Sequence, residues 1–196
     1  RGLGDVYKRQ AQEGAIDYDK TVQYPFGYGL SYTEFEQKMG ELEEKDGQVS
    51  VDVEVTNTGD VAGKDVVEVY YKPLYTNGGI EKSSANLIEF EKTNLLQPGE
   101  SQTVTVTFSI EDMASYDENN AKAYVLEKGD YVISINSDSH TVLDQKTYTA
   151  DKDVVYKGEN KRTSDDTAAT NVFEDAKGDA GSVSYTHLTL PTKRIV

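Results

Sequence analysis

Alternating apolar and polar residues mark the middle of the chain. From Val51 to Val55 every second residue is valine and the residues between are acidic. From Val104 to Phe108 large apolar residues alternate with threonine. A period of two is typical of a strand with one buried face and one wet face. The pattern therefore predicts two half-buried strands.

Other segments have the β-branched and aromatic residues of strands, at 32–39, 65–71, 87–96, 123–127, 131–136 and 145–156. No segment has a convincing helical period, and 113–117 is expected to be a crossing connection. Seven or eight short strands at regular spacing predict an all-β fold. We expect an antiparallel Greek-key β-sandwich of the immunoglobulin type, with irregular tails.

Turn residues separate these strands at three places. They are Asn57-Thr58-Gly59-Asp60, Pro98-Gly99 and Lys128-Gly129-Asp130. Asn57 and Gly59 are expected to adopt positive φ, which glycine and asparagine tolerate best. The third turn is expected to close a hairpin between the strands on either side of it.

The register of the alternation predicts which side chains face the core. In the run Val66-Val67-Glu68-Val69, Val66 shares parity with Glu68, so Val67 and Val69 are the better inward pair. The predicted inward residues are Val53, Val55, Val67, Val69, Val106, Phe108, Tyr131 and Ile133.

The composition limits which partners and which kinds of site the chain is expected to have. The 196 residues carry a formal net charge of −15 and no cysteine. A strongly acidic surface repels nucleic acid and anionic membrane, so neither is an expected partner. No apolar run approaches the roughly 20 residues of a membrane span. The absence of cysteine excludes disulfides and cysteine-based metal sites, and no pattern assigns a cell compartment.

Both ends of the chain have the properties of translated adapter DNA. Residues 5–10, DVYKRQ, can be encoded by GATGTGTATAAGAGACAG. The reverse complement of that DNA, read in a shifted frame, encodes VSYTH, which is residues 183–187. An inverted repeat of this kind is typical of a transposase sequencing adapter. We therefore expect residues 1–10 and 183–196 to lie outside the natural protein, and we exclude them from the fold.

The most specific string in the chain is YPFGYGLSYT, from Tyr24 to Thr33. Its aromatic residues, proline and glycines predict an ordered, aromatic-packed loop that enters a strand. Four further strings follow it in order: VTNTGDVAGKDVVEVY (55–70), NLLQPGESQTVTVTF (94–108), MASYD (113–117) and EKGDYVISINSDS (127–139). Together they resemble the fibronectin type III-like domain of family 3 glycoside hydrolases, the β-glucosidase family.

The resemblance implies a domain layout. Residues 11–31 would be an interdomain segment that ends in the aromatic loop, and 32–156 would be the sandwich. Residues 157–182 would be a linker toward a barrel domain, as in family members with reversed domain order, because ATNVFEDAKGD (169–179) resembles the passage into that barrel. The implied partners are the α/β-sandwich and barrel domains of the same enzyme. The implied domain-joint residues are Tyr24, Pro25, Phe26, Gly27, Tyr28, Gly29, Leu30, Ser31 and Tyr32.

The resemblance also implies that the catalytic groups lie elsewhere. The family is a retaining family with two carboxylates about 5 Å apart across the scissile bond. Its nucleophile lies in the barrel and its acid/base in the α/β sandwich. We therefore expect no catalytic, cofactor-binding or metal-binding residue in this chain, and no activity from the chain alone.

Apart from the resemblance, the residues themselves give little indication of a catalytic, metal-binding or phosphate-binding site. Carboxylates at Asp52, Glu54 and Glu68 are interpreted as the solvated face of strands. Asp165-Asp166 with Glu159 lacks the spacing of a calcium loop. His140 is the only histidine outside the expected adapter and is interpreted as a surface residue. Gly27-x-Gly29 lacks the lysine and the following helix of a phosphate loop.

Two alternatives to an accessory module stay open. A carbohydrate-binding module would use an exposed planar row of aromatics, for which Tyr24, Phe26, Tyr28 and Tyr32 are the candidates, although the chain has no tryptophan. A generic immunoglobulin-like adhesion module would show tandem repeats, and none occur.

Overall fold

Ten strands and two short 3-10 helices make up the part of the chain that the structure, a computed structural model, describes, residues 22–165. The chain divides after Arg162, and the elements of the described part lie before that point. The strands are β1 Phe35–Lys45, β2 Gln48–Asn57, β3 Val66–Lys72, β4 Asn86–Lys92, β5 Ser101–Ser109, β6 Ser115–Asp117, β7 Ala123–Leu126, β8 Gly129–Asp138, β9 Thr141–Ala150 and β10 Val154–Tyr156. The helices are η1 Ile110–Met113 and η2 Gly158–Asn160.

The strands form two main antiparallel sheets and one small one. One main sheet has three strands in the order β1-β2-β5, and the other has four strands in the order β4-β3-β8-β9. The small sheet has three short strands in the order β10-β7-β6. Strands that are neighbours in the chain, such as β2 and β3, lie in different sheets. The predicted all-β sandwich is confirmed.

The core lies between the inner faces of the two main sheets, as the alternation requires. All eight predicted inward residues are buried, with exposed fractions of 4% or less. Val67 and Val69 are fully buried while Val66 is half-buried, so the predicted register of β3 is confirmed. Burying side chains of this size stabilises a fold by about 1.5–3 kcal/mol each.

Several predicted strand boundaries are wrong. The first strand begins at Phe35 rather than at residue 32, because the aromatic loop extends through Thr33. The fourth strand ends at Lys92, and beyond it Leu96 forms an isolated bridge with Gly63. The segment predicted as one strand at 145–156 is two strands, since β9 pairs with β8 whereas β10 pairs with β7.

The hairpin predicted around Lys128-Gly129-Asp130 is also wrong. β7 pairs with β6 and β10, while β8 pairs with β3 and β9. Residues 127–128 therefore carry the chain from the small sheet to the four-stranded sheet. Gly129 has a φ of +143°, and a Cβ there would lie 3.0 Å from Leu74 Cδ2, so glycine suits the crossing.

The bend after β2 differs from its prediction, because neither Asn57 nor Gly59 has positive φ. Gly59 is required by close packing instead, since a Cβ there would lie 2.7 Å from the Glu34 backbone nitrogen. The Pro98-Gly99 turn is confirmed. Gly99 has a φ of +78°, and the Glu100 amide donates to the Gln97 carbonyl at 2.9 Å.

Candidate functional site

The aromatic segment 24–33 is a loop that is held to the sandwich near both ends. At its start, the Ser139 amide at the end of β8 donates a hydrogen bond to the Phe26 carbonyl at 2.8 Å. A turn follows, in which the Tyr28 amide donates to the Pro25 carbonyl at 3.1 Å. These bonds fix the loop against the end of the four-stranded sheet.

Asn57 holds the other end of the loop. Its fully buried side chain accepts a hydrogen bond from Thr33 Oγ1 at 2.8 Å and donates to the carbonyls of Val61 and Leu96 at 2.8 and 2.9 Å. The Gly59 amide also donates to Asn57 Oδ1, at 3.1 Å. One amide therefore joins the loop to two other segments, the bend after β2 and the segment at Leu96.

Gly27 allows the loop to lie directly on the sheet. Its φ is +85°, a conformation that favours glycine. A Cβ at this position would lie 2.7 Å from Glu68 Oε2 and 3.2 Å from the Cα of Asp138. The loop at residue 27 is therefore in contact with both β3 and β8.

The loop turns its large apolar side chains outward. We call these five residues the exposed rim, and their exposed fractions are Tyr24 65%, Phe26 67%, Tyr28 47%, Leu30 91% and Tyr32 100%. The sequence predicted an aromatic-packed loop, but these side chains do not pack into the sandwich core. The rings of Tyr24 and Tyr28 are 5.2 Å apart and inclined by 50°, so they do not form the planar row of a sugar-stacking platform.

A polar cavity of about 640 Å³ lies on the outer face of the four-stranded sheet, beside the loop. Tyr70, Ser134 and Asn136 line it, and their exposed fractions are only 2%, 7% and 2%. Outward positions of a sheet are ordinarily wet, so these residues are covered by neighbouring segments. Phe26 of the rim and His140 also line the cavity.

Glu68 on β3 departs from its interpretation as a solvated carboxylate. It is half-buried, and Tyr70 Oη donates a hydrogen bond to its Oε2 at 2.8 Å. Burial raises the pKa of Glu68, the bond from Tyr70 lowers it, and the charges of Asp138 and Asp65 raise it further. Burial and the bond to Glu68 also raise the pKa of Tyr70. Alternation alone does not reveal this environment, because the loop that covers Glu68 lies about forty residues earlier in the chain.

Asp52 and Glu54 are exposed, as expected for the wet face of β2. His140 is exposed as well. Asp166 of the calcium candidate lies outside the described residues. Within residues 22–165 no group of three histidine, cysteine, aspartate or glutamate side chains is placed to hold a metal ion. In the same range no helix is long and apolar enough to cross a membrane.

A second cavity, of about 470 Å³, has acidic walls that include Asp117, Glu127 and Asp153. The Asp117 carboxylate is already engaged, because it accepts hydrogen bonds from the amides of Asn119, Asn120 and Ala121 at 3.0–3.1 Å. These bonds, led by that from Ala121, lower the pKa of Asp117. Asp117 therefore serves to shape the turn between β6 and β7.

Comparison with known proteins identifies the sandwich. Residues 65–139 match the family model described as the fibronectin type III-like domain. The chain carries a fibronectin type III-like domain. The match spans β3 to β8 and includes both strands that contact Gly27.

The relatives of this fibronectin type III-like chain are β-glucosidases. The β-glucosidase of Kluyveromyces marxianus is 36% identical over 157 residues, which are 78% of this chain and 18% of that enzyme. The β-glucosidase of Ruminococcus albus is 37% identical over 155 residues, 75% of this chain and 16% of that enzyme. β-Glucosidase 3B of Thermotoga neapolitana, solved in complex with glucose, has a TM-score of 0.60 and 36% identity, and the match covers 69% of this chain and 18% of that one.

The chain thus spans less than a fifth of these relatives. The resemblance inferred from the five strings is confirmed, because the chain is similar to one part of these β-glucosidases and matches the fibronectin type III-like model over residues 65–139. The domain-joint role of residues 24–32 stays a prediction.

Proposed function

We propose that this chain is an accessory module that braces the neighbouring domains of a larger family 3 glycoside hydrolase. The observation that carries the proposal is the exposed rim. Five large apolar side chains project from one loop whose backbone is fixed to the sandwich near both ends. Exposed apolar clusters of this kind mark surfaces that another protein surface covers.

The fixed backbone explains how the rim would act as a brace. A flexible loop would lose conformational entropy when a neighbouring domain covered it. Here the bonds at Phe26 and Thr33 and the close contact at Gly27 have already ordered the segment. Burial of the rim would therefore add stability at the joint with little further ordering.

The neighbours that we propose are the α/β-sandwich and barrel domains of the same enzyme. We propose that the α/β sandwich precedes the interdomain segment at 11–31 and that the barrel follows a linker at 157–182, the reversed domain order that residues 169–179 suggest. The proposed activity of the whole enzyme is hydrolysis of terminal β-glucosides or related β-glycosides by a retaining two-carboxylate mechanism. Both carboxylates would lie outside this chain, which matches less than a fifth of its β-glucosidase relatives.

The bracing role is tested in the intact parent enzyme. The double variant Tyr28→Ser/Leu30→Ser removes two rim side chains without touching the backbone bonds of the loop. It should lower the thermal midpoint of the parent and reduce kcat/KM, because the joint loses buried apolar area. Leu143→Ser is the matched control, since Leu143 is 46% exposed on β9 and outside the rim.

The bracing role fails if the double variant and the control leave the parent equally stable and equally active. A parent that is fully active and stable after deletion of the whole module would have the same meaning. Neither result would change the family of the domain.

A further inference from the structure

The small sheet carries a row of three tyrosines. Its strands pair so that Tyr156 on β10 lies directly opposite Tyr124 on β7, and Tyr124 lies directly opposite Tyr116 on β6. Side chains at directly opposite positions of an antiparallel pair share one face, with Cβ atoms about 4.5–5.5 Å apart. The rings of Tyr116 and Tyr124 make an edge-to-face contact with centroids 5.4 Å apart. We call these three residues the tyrosine row.

The segment that follows β10 is bonded back to the small sheet. Lys157 Nζ donates a hydrogen bond at 2.8 Å to the carbonyl of Ala121, in the turn between β6 and β7. The Asn160 amide donates to the Lys157 carbonyl at 3.2 Å and closes a tight turn. The Asn160 side chain donates to the Val155 carbonyl on β10 at 2.9 Å. These bonds keep residues 157–160 beside the strands that precede them.

Arg162 contacts the middle tyrosine of the row. Its Cζ lies 3.5 Å from the centroid of the Tyr124 ring, and the side chain is half-buried. A guanidinium at this distance over an aromatic face makes a cation–π contact, for which the planar arginine group is well suited. The chain divides directly after Arg162, so this contact is made by the last residue of the unit that contains the sandwich.

The positive charge of Arg162 also acts on two other tyrosines. Burial and the charge of Glu111 raise the pKa of Tyr156, whereas the charge of Arg162 lowers it. Burial and the charge of Asp112 raise the pKa of Tyr71 on β3, and Arg162 again lowers it. Arg162 therefore brings a positive charge to a place that aromatic rings and the carboxylates of η1 make favourable for a cation.

We propose that the tyrosine row is a clamp that holds residues 157–162 on the sandwich through Arg162, so that the chain leaves the sandwich after Arg162 rather than after β10. The linker proposed above would then begin at residue 163, and it would start from a fixed point on the small sheet. The clamp consists of contacts within this chain and does not depend on the bracing role of the exposed rim.

Hydrogen exchange of the Asn160 amide in the full chain measures the clamp, because this amide bonds to Lys157 within the clamped segment. Arg162→Ala should make this exchange about two- to fivefold faster, the factor that corresponds to loss of one exposed cation–π contact. Lys152→Ala is the control, since it removes one positive charge from an exposed side chain between β9 and β10. It should leave the Asn160 rate at the wild-type value, and the amides of β2 should not change in either variant.

Two variants of Tyr124 separate the ring from the rest of the side chain. Tyr124→Leu keeps an apolar residue on β7 and removes the ring, whereas Tyr124→Phe keeps the ring. Cleavage after Lys157 by a lysine-specific protease is the readout, because a segment must open before it is cut and neither variant changes its sequence. Cleavage should be faster in Tyr124→Leu and unchanged in Tyr124→Phe. The double variant Arg162→Ala/Tyr124→Leu should release the segment little more than either single change does.

Three results would overturn the proposal. One is a wild-type exchange rate of the Asn160 amide in Arg162→Ala. Another is a double variant in which the two single effects add, because the two side chains would then act separately. The third is cleavage of Tyr124→Phe as fast as that of Tyr124→Leu. If Tyr124→Leu also speeds exchange in β2, it destabilises the whole fold, and Arg162→Ala then decides alone. The rim variants of the parent enzyme touch none of these contacts, so failure of the clamp and failure of the bracing role are distinguishable.

Discussion

At the scale of single residues, polar side chains at two positions of the strand pattern make structural contacts. Asn57 interrupts the valine pattern at the end of β2 and joins the aromatic loop to two other segments. Glu68 is a polar position on the outer face of β3, and the loop covers it. Tyr70 then satisfies one of its carboxylate oxygens. The two residues show that a polar position in a strand pattern can be a structural contact rather than a wet surface.

The raised pKa of Glu68 predicts how this residue changes stability with pH. Its pKa is higher in the folded chain than the ordinary 4.5, so the folded state binds this proton more tightly than the unfolded state. The stabilisation is therefore complete below the ordinary pKa and is lost as pH rises through the folded pKa. Glu68→Gln keeps an acceptor for Tyr70 and does not titrate.

The measurement is urea unfolding of the wild type and Glu68→Gln at a series of pH values. The stability of Glu68→Gln relative to the wild type should increase as pH rises above 4.5 and then become constant. Glu54→Gln, on an exposed position of β2, reports the effect of removing one negative charge elsewhere. A relative stability of Glu68→Gln that is independent of pH would show that Glu68 titrates alike in both states.

At the scale of elements, the alternation of apolar and polar residues predicted the long central strands. The turn residues did not predict which strands pair with one another. The inward valines of β2 and β3 were identified correctly because one face of each strand is buried. The hairpin at 128–130 was wrong because a glycine-containing turn does not reveal that the next strand joins another sheet. The outer-face cavity was not predicted, since its floor and its cover come from segments far apart in the chain.

Gly27→Ala should detach the aromatic loop from the sheet. The new Cβ would lie 2.7 Å from Glu68 Oε2, and alanine at positive φ adds a strain of about 1–2 kcal/mol. The Ser139 amide would then lose its acceptor on Phe26, so its hydrogen exchange should become faster while the exchange of β2 and β5 stays unchanged.

Gly29→Ala is the matched control for this experiment. No atom lies within 4 Å of a Cβ at residue 29, and Gly29 does not have positive φ. The exchange rate of the Ser139 amide should therefore stay at the wild-type value. Equal rates in the two variants would show that the close contact at Gly27 does not hold the loop.

At the scale of the whole molecule, the resemblance could be predicted from short sequence strings, whereas the role of the module depends on which side chains its surface exposes. The order of five short strings identified the fibronectin type III-like domain before any contact was known. The outward direction of the rim required the structure, because aromatic residues in a sequence do not show whether they face their own core or a neighbour. The terminal segments 1–10 and 183–196 lie outside the described residues, and their adapter origin stays a prediction.

Deleting residues 1–10 and 183–196 tests that origin. Adapter residues were never selected to pack, so the free energy of unfolding should change by no more than about 0.5 kcal/mol. Chemical denaturation of the full and trimmed chains provides the comparison. A loss of more than about 1 kcal/mol would mean that the ends belong to the fold.

The full chain should not hydrolyse an aryl β-glucoside above background. Within residues 22–165, Glu68 is the carboxylate most similar to a catalytic acid, because burial raises its pKa and Asp138 lies near it. A retaining mechanism requires a second carboxylate about 5 Å away and a sugar between the two. Asp138 instead accepts hydrogen bonds from the amides of His140 and Thr141 at 2.8 and 3.0 Å.

The aromatic loop also lies over Glu68. Gly27 is in contact with the Glu68 carboxylate and with the backbone of Asp138, so the loop covers Glu68. Release of nitrophenol from an aryl β-glucoside measures the activity, with the parent enzyme as the positive control. Turnover by the purified chain that Glu68→Gln abolishes would contradict this prediction and would assign catalysis to the module itself. Background rates in both the chain and the variant are the expected result, because Glu68 accepts a hydrogen bond from Tyr70 and Asp138 holds a turn.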